Sequence, residues 1–234
     1  MPTSLRKTLR EALKATAPVM AGYLVLGMGF GVLLHSRGYG VWWALAMSLF
    51  IYAGSMQYLA IDLISGGASL ITTAITTLMV NARHLFYGIS MVDKYQGMGK
   101  KKPYAIFALT DETYSLVCQD EAHADPQERQ RFAFWVSVMD QCYWVAGSAA
   151  GSLLGSVIPF DVTGIDFSLT ALFLTVFIEQ WLSTKDHASA VIGVAASVIC
   201  AAVFGADGFL IPAMALILLS LTLLRVLRKE AAHD

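Results

Sequence analysis

The stretch Ile71–Asp93, ITTAITTLMVNARHLFYGISMVD, is long and apolar enough to cross a bilayer, yet Asn81, Arg83 and His84 stand in its middle. A single Arg at mid-membrane depth costs at least ~2.5–3.5 kcal/mol. A chain that keeps one there needs a partner for the charge and a use for it. Some other apolar segment must therefore bring acids, or a polar ligand, to the same depth.

The rest of the chain supplies such segments. Of its 234 residues 56% are hydrophobic and 14% charged, against about 25% charged in a soluble globular protein. This composition describes an all-α polytopic membrane protein whose transmembrane transport domain occupies residues 18–224. No alternation of about ten residues recurs, which excludes an outer-membrane barrel. A net charge of -1 gives no reason to expect a nucleic-acid partner. Cys118, Cys142 and Cys200 form neither a disulfide framework nor a metal motif, and the five His are dispersed, so no metal or cofactor is expected.

The N-terminus imitates a signal peptide, with Arg6, Lys7, Arg10 and Lys14 before an apolar run. The run ends in LLHSRG without a small-x-small cleavage site and more apolar segments follow, so it reads as an uncleaved first span. Leu5, Leu9 and Leu13 share a helix face among basic residues. Residues 1–17 therefore read as a short amphipathic arm on the cytoplasmic membrane surface.

About eight apolar segments follow one another. The first, from about Pro18 to Leu34, carries Gly27 and Gly31 at the spacing of close helix approach. The second, Val41 to Ile64, is interrupted by Ala53-Gly54-Ser55-Met56-Gln57. The third is Ile71–Asp93. The fourth, Tyr104 to Cys118, has Thr110-Asp111-Glu112 at its centre. Its roughly 15 residues reach only about 22 Å as a helix, short of the ~30 Å hydrocarbon core. The fifth, Phe132 to Val157, contains Asp140, Gln141 and Tyr143, and a ladder of Gly147, Gly151 and Gly155 that signals helix packing. Segments six (Phe167–Leu182), seven (Ala188–Phe204) and eight (Phe209–Leu224) are plainer. Residues 225–234 form a basic tail.

Lys and Arg near segment ends set the orientation. The basic arm and tail place both termini in the cytoplasm. If all eight segments cross, Lys100, Lys101 and Lys102 fall outside, against the rule. If segments two and four are broken or re-entrant, every basic loop is cytoplasmic. The preferred topology is therefore six full spans plus two discontinuous segments, with eight plain spans as the alternative. Broken helices build midplane sites in many secondary transporters.

Helix rise places the polar groups in one layer. His84 and Asp140 lie about 12 Å in, and Asp111 about 10 Å in, counted from their segments' cytoplasmic ends. A hairpin of segments three and four would set Arg83 and His84 level with Asp111 and Glu112, and Asp140 could join them. One reading is a binding and proton-relay site. Backbone freed near Gly54, with Gln57, would grip a zwitterion, Arg83 would hold a carboxylate in a bidentate fork, and His84 or an acid would exchange protons. The other reading is a fixed Arg83–Asp111 pair that pins two helices, with His84 in an interhelical hydrogen bond. Asp62 and Glu179 lie near segment ends. Trp42, Trp43 and Trp181 read as interfacial anchors.

The runs YAGSMQY (Tyr52–Tyr58), NARHLFYG (Asn81–Gly88) and LTDETY (Leu109–Tyr114), in this order, resemble the AzlC family. The segment IDFSLTALF (Ile165–Phe173) extends the likeness over most of the chain. The resemblance implies the large subunit of a bacterial branched-chain amino acid exporter in the inner membrane. The implied substrates are valine, leucine, isoleucine and sometimes methionine, and the implied partner is a small, separately encoded AzlD-type membrane subunit. The matching motif positions are Gly54, Gln57, Asn81, Arg83, His84, Asp111 and Glu112. No nucleotide-binding motif is present. The leading expectation is thus secondary active, proton-coupled export. The alternative is a passive channel, or a structural subunit whose partner carries the substrate. An enzyme is not expected, because no nucleophile stands beside a base in a recognisable motif.

Overall fold

A computed structural model describes residues 2–118, 123, 125–157, 167, 170–171, 174, 177–178, 181–182, 184–205 and 208–230. All regular structure among the described residues is helical. The chain divides into two units, Met1–Leu169 and Thr170–Asp234.

The first unit is built on two long helices, α1 (Pro2–Ser36) and α8 (Pro126–Val157). The basic arm and the first apolar run form one continuous helix of 35 residues, where the sequence pointed to a separate surface helix before Pro18. An interior proline removes a backbone bond and costs roughly 3 kcal/mol; packing along α8 on both sides of Pro18 keeps the helix unbroken. The two helices run parallel. Thr16 Oγ1 lies 3.2 Å from Tyr143 Oη, the Tyr23 and Trp144 rings lie 5.5 Å apart, and His35 meets Gly155.

The glycine ladders read from the sequence face each other along this seam. A Cβ on Gly27 would lie 3.0 Å from the Trp144 carbonyl oxygen, and one on Gly147 would lie 2.8 Å from that of Leu24. On Gly31 and Gly151 it would overlap the carbonyl oxygens of Ser148 and Met28. Small residues let helix backbones touch, which is how apolar spans gain packing energy without a hydrophobic driving force.

Three helix pairs occupy the space beside α1 and α8. The first is α2 (Val41–Phe50) and α3 (Gly54–Ser65). The second is α4 (Leu70–Val80) and α5 (Ala82–Met91). The third, after a 3-10 turn at Gly99–Lys101, is α6 (Lys102–Phe107) and α7 (Asp111–Val117). Each pair replaces one apolar segment. Breaks in segments two and four were expected; the break at Asn81 in segment three was not.

The α2–α3 pair doubles back. α2 begins just past the end of α1 and runs down to Gln141, whose Nε2 donates to the Leu49 carbonyl at 3.2 Å. α3 then climbs beside α1: Tyr58 Oη donates to the Leu26 carbonyl at 2.7 Å, and Arg37 pairs with Asp62 at 3.3 Å. The α6–α7 pair doubles back from the other end. Lys101 Nζ sits 4.7 Å over the Phe134 ring at its start, and Lys94 Nζ donates to the Cys118 carbonyl at its finish. Its tip reaches Tyr23 and Asp140. α5 runs alongside α7, with the Tyr87 and Tyr114 rings stacked at 4.6 Å and Ser90 Oγ donating to Tyr114 Oη at 3.1 Å.

Two apolar cores result. One gathers Phe30, Leu34, Met47, Met56, Tyr58 and Ile61 toward the C-terminal ends of α1 and α8. The other gathers Ala12, Met91, Tyr95, Ala105, Phe132 and Val136 toward their N-terminal ends. A polar layer lies between them.

In the second unit, α9 (Ala188–Phe204) and α10 (Leu210–Glu230) pack side by side, burying Ala196, Cys200 and Ala213. Trp181 stacks on His187 at 4.0 Å. Glu179 and the loop holding Asp161 and Asp166 lie outside the described residues. Leu5–Ser36 is the one helix among the described residues with both the length and the hydropathy of a bilayer span. Val41–Phe50, Leu70–Val80, Ala188–Phe204 and Pro212–Val226 are shorter apolar helices.

Candidate functional site

The polar layer is assembled at the helix breaks. α2 ends because Tyr52 adopts φ 43, in the left-handed region, a conformation uncommon for a bulky residue. The carbonyls that the ending helix releases do not stay bare. Gln141 Nε2 donates to the Leu49 carbonyl at 3.2 Å and approaches that of Ser48 at 3.5 Å, meeting the need of a buried helix end. Gln141 Oε1 in turn accepts from Tyr104 Oη at 2.7 Å. One side chain of α8 thus holds the tip of α2 and the body of α6.

Gly54 and Gln57 lie at the start of α3, against Trp144. A Cβ on Gly54 would lie 3.0 Å from the indole, so glycine makes room for the ring. Gln57 is fully buried. Its Oε1 accepts from Trp144 Nε1 at 2.9 Å and its Nε2 donates to Ser48 Oγ at 3.3 Å. The sequence pointed to Gln57 as a ligand contact; here both amide atoms are engaged by the protein.

The α6–α7 break follows from ordinary capping chemistry. Thr110 is extended, with φ -96 and ψ 176, and its Oγ1 accepts from the Thr113 amide at 3.3 Å. Asp111 and Glu112 follow in the first turn of α7, where negative charge suits the helix dipole. Tyr23 Oη donates to Glu112 Oε2 at 2.6 Å and lies 2.8 Å from Thr110 Oγ1. Thr110 Oγ1 lies 3.2 Å from Thr113 Oγ1, which donates to Asp140 Oδ2 at 2.8 Å. Asp140 is fully buried, and its Oδ1 has no hydrogen-bond partner among the described residues.

At the third break, Asn81 has φ -91 and ψ 3. Its carbonyl accepts from the His84 amide at 2.9 Å and lies 3.3 Å from His84 Nδ1. The His84 ring meets Tyr87 edge-on at 6.1 Å. His84 stands one turn before Tyr87, as Asp111 stands one turn before Tyr114, so the stacked tyrosines put them at one level. The Arg83 side chain lies outside what the structure describes.

The structure therefore brings Glu112 and Asp140 into one network, with Asp111 beside it, and sets Gly54 and Gln57 at the same depth through the Trp144–Tyr23 contact. Tyr23, Tyr52, Tyr104, Thr110, Thr113, Gln141 and Trp144 also belong to the layer; Thr110 and Gln141 stood out in the sequence beside the acids, but none of the seven was assigned a role there. Hydroxyl and indole groups are inexpensive in a span and send no alarm; the only available hints were Gln141's place beside Asp140 and the Thr-x-x-Thr spacing at the α7 cap. Among the described residues no group of His, Cys, Asp and Glu could hold a metal ion.

Chemically, the layer offers carboxylates, hydroxyls and helix ends facing one another inside an apolar shell. A family model described as AzlC protein matches residues 18–158. The chain is 45% identical, over 92% of its length and 85% of the relative's, to the branched-chain amino acid transport protein AzlC of Bacillus subtilis. It is 42% identical to an uncharacterized membrane protein of Helicobacter pylori, over 94% and 96% of the two chains. It is 24% identical, over 74% of each chain, to the inner membrane protein YgaZ of Escherichia coli. No solved structure matches.

Proposed function

The chain belongs to the AzlC family, and from that premise we propose that it is the large subunit of a proton-coupled secondary exporter of branched-chain amino acids. The observation that carries the reading is Asp140, fully buried at the meeting point of two doubled-back helix pairs, with one carboxylate oxygen engaged by Thr113. Acids held inside an apolar shell at such depth mark ion and substrate pathways in membrane proteins. The substrate class comes from the relative that is named for branched-chain amino acid transport.

In this reading α2–α3 enters from outside and α6–α7 from the cytoplasm, and neither crosses. α1, the α4–α5 pair, α8, segment six, α9 and α10 make six crossings. Both termini and every basic loop are then cytoplasmic, as the distribution of Lys and Arg requires. The inner membrane follows the relative named an inner membrane protein.

The amino acid binds where the three breaks converge. Arg83 takes its carboxylate; Asp111 and Glu112 take its ammonium group; backbone near Gly54 and Asn81 supplies further polar contacts. His84 or Asp140 exchanges the coupling proton. Leu, Ile, Met and Phe walls receive the branched side chain, and a small AzlD-type membrane subunit completes the system.

The test is valine efflux from cells loaded with a valine dipeptide, with expression and assembly checked by membrane immunoblot. Export should collapse in Arg83→Ala and Asp140→Asn. Normal export by both variants would remove the site assignment. Reconstituted vesicles separate an exporter from a channel, because a channel cannot accumulate valine when a pH gradient is imposed.

A further inference from the structure

The polar layer contains an unbroken file of hydroxyls between two carboxylates. From Glu112 Oε2 it passes to Tyr23 Oη (2.6 Å), Thr110 Oγ1 (2.8 Å), Thr113 Oγ1 (3.2 Å) and Asp140 Oδ2 (2.8 Å). Glu112 is half-buried, whereas Tyr23, Thr110, Thr113 and Asp140 are buried. The file thus leads from a group near the edge of the packed layer to one sealed within it. Three elements contribute: α1 gives Tyr23, the α6–α7 break gives both threonines and Glu112, and α8 gives Asp140.

The geometry points to Tyr23, Thr110 and Thr113 as a hydroxyl relay that carries one proton between Glu112 and Asp140, a role that rests on the proton-coupled reading above. A hydroxyl offers one donor and two acceptor lone pairs, so each member can accept a proton from one neighbour and release its own to the next. When Glu112 is protonated, its O–H breaks as Tyr23 oxygen takes the proton. Tyr23 passes its own to Thr110, Thr110 to Thr113, and Thr113 to the Asp140 carboxylate. At each hydroxyl one O–H bond forms and one breaks. The net change is one proton lost by Glu112 and one gained by Asp140, and the reverse order returns it.

When both acids are ionised, Tyr23 donates to Glu112 and Thr113 donates to Asp140. The two end donors then point apart, and Thr110 stands between them, donating to one side at a time. Thr110 is the reversal point of the file. It is held there by the Thr113 amide, which donates to its oxygen at 3.3 Å, so the residue that caps α7 also orients the relay. Neither Tyr23 nor the two threonines needs to touch the amino acid; they are positioning and relay residues.

The experiment uses the full chain in proteoliposomes with radiolabelled L-valine and two readouts: accumulation driven by an imposed pH gradient, and valine–valine exchange without a gradient. Thr110→Val removes the central hydroxyl without touching either acid and leaves no space for a replacement water. Tyr23→Phe breaks the file on the other side and leaves the α7 cap intact. Thr110→Ser keeps both the relay and the cap. Positioned proton transfer contributes about 10²–10⁴-fold, so driven accumulation should fall at least ~10-fold in Thr110→Val and Tyr23→Phe, while exchange persists and Thr110→Ser retains both. If the two variants accumulate valine as the wild type does, the relay is overturned and proton coupling stands. Loss of exchange together with accumulation would assign the residues a structural role and overturn the relay. If the wild type exchanges valine but never accumulates it, the coupling reading fails and the relay with it.

Discussion

The α1–α8 seam makes one substitution cost stability at one glycine and add it at another. A glycine in a helix interior is less stable than alanine by ~0.5–1 kcal/mol, through the backbone freedom it loses on folding. Nothing lies within 4 Å of a Cβ built on Gly22, so Gly22→Ala should collect that gain. A Cβ built on Gly151 would overlap the Met28 carbonyl oxygen and lie 2.6 Å from Met28 Cα. These are backbone atoms, and no change of rotamer relieves the contact. Gly151 also lies in a helix interior, so the propensity gain is common to both variants, and they should differ by the overpacking cost alone, ~1–3 kcal/mol, with Gly22→Ala the more stable. Reversible unfolding in mixed detergent micelles, followed by tryptophan fluorescence, measures the difference. Separation of the helices would also stretch the Tyr23–Glu112 and Thr113–Asp140 bonds, so valine transport should fall in Gly151→Ala and not in Gly22→Ala. Equal stability of the two variants would refute the close-packed parallel seam and the register read from it.

Other expectations follow from the same geometry. Gln141→Leu and Tyr104→Phe remove the two ends of one partly buried hydrogen bond, so a double-mutant cycle in the same unfolding assay should return a coupling of ~0.5–3 kcal/mol; additive effects would mean the bond is not made. Asp140→Asn keeps an oxygen that accepts from Thr113 but cannot be charged, so the protein should unfold near the wild-type denaturant concentration while pH-driven valine accumulation is lost. On a cysteine-free background, a membrane-impermeant maleimide should label Gly67→Cys in intact cells and Gln96→Cys only in inside-out vesicles; labelling of both from one side would refute the proposed topology.

Charge in an apolar run was the most legible signal in the sequence. Asp140, Asp111 and Glu112 stand out because each is costly unless it is used, and the structure gathers Asp140 and Glu112 into one network. The breaks in segments two and four were also legible: Ala53-Gly54-Ser55-Met56-Gln57 interrupts one, and the other is too short to span the hydrocarbon core as a helix. The break at Asn81 was not, because a single polar residue does not stop a helix by itself. Nor could local sequence announce that Tyr52 takes a left-handed conformation, which depends on Gln141, 92 residues from Leu49, receiving the carbonyls that the turn releases. Leu5, Leu9 and Leu13 among basic residues pointed to a surface arm over residues 1–17, whereas α1 runs unbroken through Pro18. The glycine ladders announced close packing without naming partners, since Gly27 and Gly147 become neighbours only when α1 and α8 run parallel. Among the relay hydroxyls only the Thr-x-x-Thr spacing of Thr110 and Thr113 gave a hint, because threonine and tyrosine are ordinary in spans.

The adjacent pair Asp140–Gln141 ties the layer together in a way that bears on how such a site opens. Asp140 accepts from Thr113 of α7, and Gln141 accepts from Tyr104 of α6, so the α6–α7 pair is held to α8 by two side-chain bonds. Gln141 also donates to the Leu49 carbonyl, so the opposite pair is held at the same point. A movement that draws α6–α7 away from α8 must break the first two bonds, and one that draws α2–α3 away must break the third. Each net bond contributes only ~0.5–1.5 kcal/mol while water or a ligand can replace it, yet a buried group left unpaired costs ~1–3 kcal/mol. Opening is therefore inexpensive only when something polar enters as the bonds part. An amino acid brings both a carboxylate and an ammonium group, and a proton on Asp140 removes the charge that Thr113 serves. In the proposed exporter either pair would then part from α8 in exchange for substrate or proton, while opening both at once would leave the most groups unpaired. In the proposed exporter, the same two residues that hold both helix pairs to α8 would thus favour a site open to one side at a time.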